Sequence, residues 1–423
     1  MKKISIILIF VIFALSGYGQ RRMVVSAWNF LRDGFLKDAK EAIDKAAEHP
    51  ETKDSYRTFR YKAYIYHELA ITEEPQYKDI CDHTCLDIAF ENYLEAIKRN
   101  FVDPKFHTIK FEDELDFMKY LNAIQDQNTR YEDTELLMDI VMNRFPALAN
   151  AIINRGLDNF QEKLDFEAAL NDFEQALLIT TLSFKVDTQL IYFASLAAFR
   201  SEDFEKAVDY NKTLIEMDFG TTDEEKVSIY QTLVKTYELN EDYEKMLETL
   251  EKGIKKFPEQ SYPLIIETFN YYVNSNQNEE AYKYISMAIE KNPDDAQFYV
   301  IKGALLEDMD RRDDAQQEYL NAVKIDVNNF DANFNLGAYY YNTAVDTIQW
   351  ADENIKITDF AAHDEISKIA NKYFNKALPY LEKSLEIDPD NINVLNTLRI
   401  VYYRLENMEE YEKVQERINE LTE

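Results

Sequence analysis

Small, aromatic and charged residues recur along this chain in a fixed phase. From Ala296 the segment AQFYVIKGALLEDMDRRDDAQQEYLNAVKIDVNN runs for 34 residues before a similar pattern restarts at Phe330 as FDANFNLGAYYY, and the preceding unit starts at Tyr262. Self-similarity at that period predicts a repeated helix pair. Helix A covers about the first 14 positions of a unit and helix B about the next 16, packed antiparallel because the link between them is short. No pair can bury its apolar face alone, so the pairs must stack.

The phase places nine units, at 20–53, 54–101, 150–187, 188–226, 227–261, 262–295, 296–329, 330–391 and 392–423. Position 20 is Ala39, Ala89, Ala169, Ala207, Met246, Ala281, Ala315, Ala377 and Tyr411. Position 27 is Ala46, Ala96, Ala176, Leu214, Gly253, Ala288, Ala322, Ser384 and Ile418. Position 8 is Gly in two units, Gly303 and Gly337, and position 11 is Tyr237, Tyr272, Leu306, Tyr340 and Tyr402. Position 32 is Pro258, Pro293 and Pro389. Small residues at positions 8, 20 and 27 let backbones approach where helices cross. Aromatics at 4, 11, 17 and 24 fill the space between neighbours, and proline at 32 ends helix B.

This pattern resembles the tetratricopeptide (TPR) repeat family. The resemblance implies an all-α solenoid, a right-handed superhelix of antiparallel helix pairs, whose concave groove is lined by helix A positions 2, 5, 6, 9, 12 and 13. Carried over by register, the groove residues are Tyr192, Phe193, Phe199, Asn270, Asn274, Phe334, Asn335, Tyr341, Asn342, Tyr403 and Arg404, with Glu267 beside Asn270. Asparagine can hold an extended peptide backbone with donor and acceptor together, and aromatics add area with a polar tip. A peptide or partner helix is the ligand such a groove fits. One TPR subclass grips acidic C-termini with a Lys/Asn/Arg clamp; its position 5 is occupied here by Gln231, Ile266, Val300 and Phe334, so that ligand is not carried over.

Residues 102–149 depart from the pattern: FEDELDFMKYLNAIQ reads as one helix and ELLMDIVMNRF as a second, ending before Pro146. The domain plan is therefore a leader at 1–19, repeats at 20–101, a degenerate helical segment at 102–149 and the main array at 150–423. Two units carry inserts: a loop at 72–85, and a helical hairpin at 343–372 that bears Trp350, one of two tryptophans. Trp350 is a second candidate anchor for a partner.

The leader reads as a signal peptide, with Lys2 and Lys3 before an apolar run from Ile4 to Leu15 and small Gly17 and Gly19 before a cut at Gln20; an uncleaved N-terminal membrane anchor is the alternative. Its ending resembles signal peptides of Bacteroidetes-type bacteria, which implies a periplasmic or secreted protein. No second long apolar run is read, so no membrane insertion is expected after cleavage.

Charge and composition narrow the partners. The 423 residues carry a formal charge of −32, which makes nucleic acid a poor partner. With 8 Gly and 9 Pro the chain lacks the turn residues of an all-β fold, and it has no GxxxxGK[ST], GxGxxG, GxSxG or HExxH. No catalytic residues and no cofactor are expected. The one local cluster is Cys81-Asp-His-Thr-Cys85, read first as a disulfide pinning the 72–85 loop, with free thiols or a metal site through His83 as alternatives. The functional expectation is a non-enzymatic protein-binding scaffold of the cell envelope. Its rivals are a holdase-type chaperone for exported chains and a TPR-bearing glycosyltransferase, for which no catalytic domain is left over.

Overall fold

The computed structural model describes residues 22–422; the leader lies outside the described residues. Among the described residues there are nineteen α-helices and no strands. The described residues fall into two compact units that divide between Phe219 and Gly220.

The first unit contains α1 (22–32), α2 (Leu36–Glu48), α3 (Tyr56–Ile71), α4 (Cys85–Asn100), α5 (Glu114–Gln125), α6 (Leu136–Lys163), α7 (Phe166–Leu182), α8 (Thr188–Arg200) and α9 (Phe204–Glu216). The second contains α10 (Asp223–Leu239), α11 (Tyr243–Lys256), α12 (Tyr262–Asn274), α13 (Asn278–Lys291), α14 (Ala296–Asp308), α15 (Arg312–Ile325), α16 (Phe330–Asn354), α17 (Phe360–Ile387), α18 (Ile392–Arg404) and α19 (Met408–Thr422). Successive helices pair within each unit, and α16 with α17 is the most extensive pairing.

The small-residue positions lie at the crossings. All seven alanines of position 20 are fully buried, as are the five of position 27 and Ser384. Position 8 shows why the register demands glycine. A Cβ on Gly303 would run into the ring of Tyr319, 2.7 Å from Cδ1, and one on Gly337 would lie 2.7 Å from Leu381 Cγ. Real side chains do not approach that closely, so helix A can lie flat on helix B only where the side chain is absent.

A second repeating feature sits one step further on, at position 15. Glu202, Glu241, Asn276, Asp310 and Glu406 all close the A–B turn with φ between 55° and 63°. The next amide reaches back five residues: Asp203 N–H to Ala198, Asp242 to Tyr237, Gln277 to Tyr272, Arg311 to Leu306 and Asn407 to Tyr402, at 2.8–3.0 Å. This is the Schellman ending, which satisfies the last carbonyls of helix A. The residue after the turn is then free to cap helix B. Asp203 and Asp242 accept the amides of Lys206 and Lys245 at 3.2 and 3.3 Å. In the first pair the left-handed residue is Gly34, with φ 83°.

Acidic residues also tie helices together through tyrosine. Tyr210 donates to Glu174 at 2.9 Å, Tyr339 to Asp313 at 2.8 Å and Tyr402 to Glu382 at 2.8 Å. Part of the negative charge is therefore built into caps and cross-helix bonds rather than serving solubility alone.

The segment 102–149 differs from the expectation of two helices ending before Pro146. Only α5 is separate; ELLMDIVMNRF is the first half of α6, which runs on past residue 150. A widened π turn, Ile140–Arg144, precedes Pro146, which occupies the first turn of the α segment beyond it. The widened turn before it makes room for the ring, so the proline does not end the helix. The rest of the segment packs an aromatic cluster, with Phe101 against Phe106 at 4.5 Å and Phe111 edge-on to Tyr120 at 5.1 Å.

α6 also corrects the reading that no second apolar run exists. It is long and apolar enough, by length and composition, to cross a membrane. In the fold it pairs with α7, buries Phe145, Leu148, Ile152 and Gly156, and carries Arg155 in ion pairs with Asp87 and Asp172 at 2.7 and 2.6 Å. Those contacts make it an inner helix of the array.

Candidate partner-binding faces

The residues assigned to the groove divide into three kinds. Some belong to the packing. Phe193 lies 5.7 Å from Phe173, and Phe199 rests against the same core. Tyr192, half-buried, stacks on Phe219 at 5.4 Å. Phe334 stacks on Phe330 at 5.9 Å, and both rest on the core of the second unit. These aromatics hold neighbouring helices, which the helix A register alone does not reveal: positions 5, 6 and 12 lie close enough to the seam for a large ring to turn inward.

Others form a half-exposed rim. Tyr341 lies 5.9 Å from Phe374 of α17; burial raises its hydroxyl pKa, and the Arg404 charge works against that rise. Arg404 and Asn342 are exposed and Asn335 half-buried. Tyr403 is 59% exposed, with its ring 5.9 Å from that of Tyr411.

The third kind converges on a cavity. Asn270, Asn274 and Glu267, all on α12, line a hollow of about 560 Å³ with Lys235 and Glu238 of α10 and Tyr243 of α11. Buried Met246 and Leu250 form its apolar side, and Tyr271 stands 5.7 Å from Tyr243. Lys235 Nζ is held by Glu238 Oε2 at 2.5 Å. Glu267 Oε1 accepts from Gln231 at 3.3 Å, and its Oε2 is shielded from solvent without a hydrogen-bond partner. Burial raises the Glu267 pKa, with Gln231 opposing.

The fold is an all-α array of TPR-like helix pairs. No family model and no curated protein matches the chain. Among solved structures it is similar to the protein MamA (TM-score 0.35, 16% identity, covering 46% of this chain and 91% of that one). It is also similar to a putative protein binding protein from Bacteroides ovatus (TM-score 0.40, 18% identity, 48% and 98% covered). A third is YrrB, described as a TPR protein with an unusual peptide-binding site (TM-score 0.23, 17% identity, 62% and 96% covered).

The hairpin offers a different surface. Trp350 is 54% exposed and lines a hollow of about 410 Å³ with Arg312, Asp313, Tyr339, Thr343, Asp346 and Thr347. At the tip, Ile357 and Phe360 stand 85% and 78% exposed. The sequence reading singled out only the tryptophan. An Ile and a Phe flanking a short turn between long helices were the available signal.

In the first unit, Cys81 and Cys85 are joined by a disulfide, with Cα atoms 5.9 Å apart. The insert that carries them is held at two further points. Tyr77 donates to the Gly34 carbonyl at 2.8 Å, and Arg155 to the His83 carbonyl at 2.6 Å. Arg155 is the hub of this corner: it bridges Asp87 and Asp172, and Asn159 donates to Asp172 at 2.9 Å. Burial pushes the Asp172 carboxyl up while Arg155 and Asn159 pull it down. The arrangement is structural, since every charge in it is answered.

Proposed function

We propose that this chain is a non-enzymatic protein-binding scaffold of the bacterial cell envelope, taking an extended partner segment along its helix A faces. The observation that carries the reading is the cavity between α10, α11 and α12. It gathers two exposed asparagines, two tyrosines and two carboxylates from both helices of one repeat and helix A of the next. Exposed amides hold a peptide backbone, and tyrosines supply contact area at low entropy cost. Export rests on the leader sequence; sequencing the mature N-terminus tests it, with Gln20 as the expected first residue.

Photo-crosslinking in cells tests the binding role. A crosslinking residue at Asn274 or Asn342 of a scaffold traps one or two stoichiometric partners. Many unrelated exported chains would mark a holdase instead, and no adduct from either site would refute groove binding. A second reading makes the hairpin the interface. Exposed Ile357 and Phe360 favour it, because apolar side chains concentrated on a protruding tip mark contact sites. An adduct from Trp350 alone would decide for it.

A further inference from the structure

The cavity lined by Glu267 has a chemistry more specific than peptide holding. Glu267 is half-buried, and its Oε2 has neither solvent nor a hydrogen-bond donor among the described residues. Its one bond is the long contact from Gln231 to Oε1, at 3.3 Å. The only basic residue lining the cavity, Lys235, is engaged by Glu238. A shielded carboxylate oxygen left unanswered is costly, and folds normally supply a donor. The carboxylate lining the cavity therefore has acceptor capacity to spare, which a donor carrying positive charge would answer.

The walls fit the rest of such a group. Tyr243 stands at position 17, where a ring is expected between neighbouring units, yet it is 44% exposed. It pairs with Tyr271 at 5.7 Å, the two rings inclined at 36°. Two ring faces beside a carboxylate are what a cationic head on an aliphatic stem fills: the rings attract the charge, the stem covers apolar wall, and the carboxylate takes the N–H groups. Asn270 and Asn274, exposed on the same helix, are placed to hold the backbone on either side. The chain's charge of −32 draws a basic segment in and repels an acidic one.

We propose that this cavity is a specificity pocket for a lysine or arginine side chain of the bound partner, with Glu267 as its counter-charge. The inference rests on the protein-binding reading above and names the chemistry of that partner. The hollow, at about 560 Å³, accommodates one long side chain together with its flanking backbone.

Selection of displayed random dodecapeptides on the full-length chain tests it. Binders to the wild-type chain are enriched in Lys and Arg at one fixed position. Calorimetry on the best of them, resynthesised with Gln at that position, shows about a tenfold loss of affinity. Glu267→Gln, which keeps shape and hydrogen bonding, produces a similar loss with the basic peptide and none with its Gln analogue. Tyr243→Ala, at an exposed position that should not disturb folding, weakens the basic peptide several-fold. Glu238→Gln, which frees Lys235, does not strengthen it. Selected peptides with no basic position, or equal affinity for Glu267→Gln, overturn the pocket while leaving peptide binding intact. Failure to select any binder overturns both.

Discussion

The left-handed turn at position 15 gives two adjacent substitutions of opposite sign. Glu241 has φ 57°, and Asn240 beside it has φ −88° and ψ 5°. Both side chains are exposed. Holding a residue with a Cβ in the left-handed region costs roughly 1–2 kcal/mol, and glycine is free of that cost. Glycine also loosens the unfolded chain by about 0.4–1 kcal/mol, so Glu241→Gly stabilises the α10–α11 pair by a net of about 1 kcal/mol. At Asn240 only the loosening operates, and Asn240→Gly destabilises by about 0.5–1 kcal/mol. The assay is amide exchange over 223–256 under native conditions, read by mass spectrometry. One kcal/mol is about a fivefold change in protection, so exchange slows about fivefold in Glu241→Gly and quickens two- to fivefold in Asn240→Gly. Glu241→Gln, which removes the charge but keeps the Cβ, leaves the rate unchanged. If both glycines shift exchange in the same direction, or if Glu241→Gln matches Glu241→Gly, the turn is not limited by backbone strain and the argument fails.

Other outcomes follow from the packing. Gly303→Ala puts a methyl into the ring of Tyr319 and lowers stability by about 1–3 kcal/mol in urea titration, whereas an alanine at exposed Lys324 changes it little. Arg155→Met leaves Asp172 buried with only Asn159 and costs about 3–5 kcal/mol, while Asp87→Asn, at a more exposed partner, costs under about 1 kcal/mol. His67 is buried, touches Tyr93 at 3.1 Å through Nδ1, and is held at about 4 by burial and by the Arg144 charge. It is neutral in both states above pH 6.5. As pH falls from 6.5 to 4 the unfolded chain takes up a proton that the folded one refuses, and stability drops by up to ~1.4 kcal/mol per unit. Urea midpoints at pH 7.5 and pH 5 therefore diverge, and the gap narrows in His67→Gln.

Much of the fold was legible because a repeat must reuse its crossings. Seven alanines at position 20 cannot be coincidence in a chain with so many large residues, and each proves to be fully buried. Glycine at positions 303 and 337 likewise announced close helix contacts. The position 15 turn was missed for the opposite reason. Of the six non-glycine left-handed residues there, Leu164, Glu202, Glu241, Asn276, Asp310 and Glu406, four are Glu or Asp, which look like solvated loop, and such a turn is fixed by backbone dihedrals rather than by the side chain.

The sequence by itself determined the period, the helix pairs and the small-residue seams, since those follow from local propensity and from which residues can lie between crossing backbones. Only the tertiary structure decided which aromatics face outward. Register puts Phe193 on the groove face and Tyr243 in the space between units, yet Phe193 rests on Phe173 in the core and Tyr243 stands exposed beside a cavity. Register fixes where a Cβ points; the neighbouring helix decides whether the ring beyond it has somewhere to be buried. The same holds for Glu267: its position on helix A was readable, but that only its Oε1 is bonded depends on where Lys235 and Gln231, one repeat earlier, direct their own side chains.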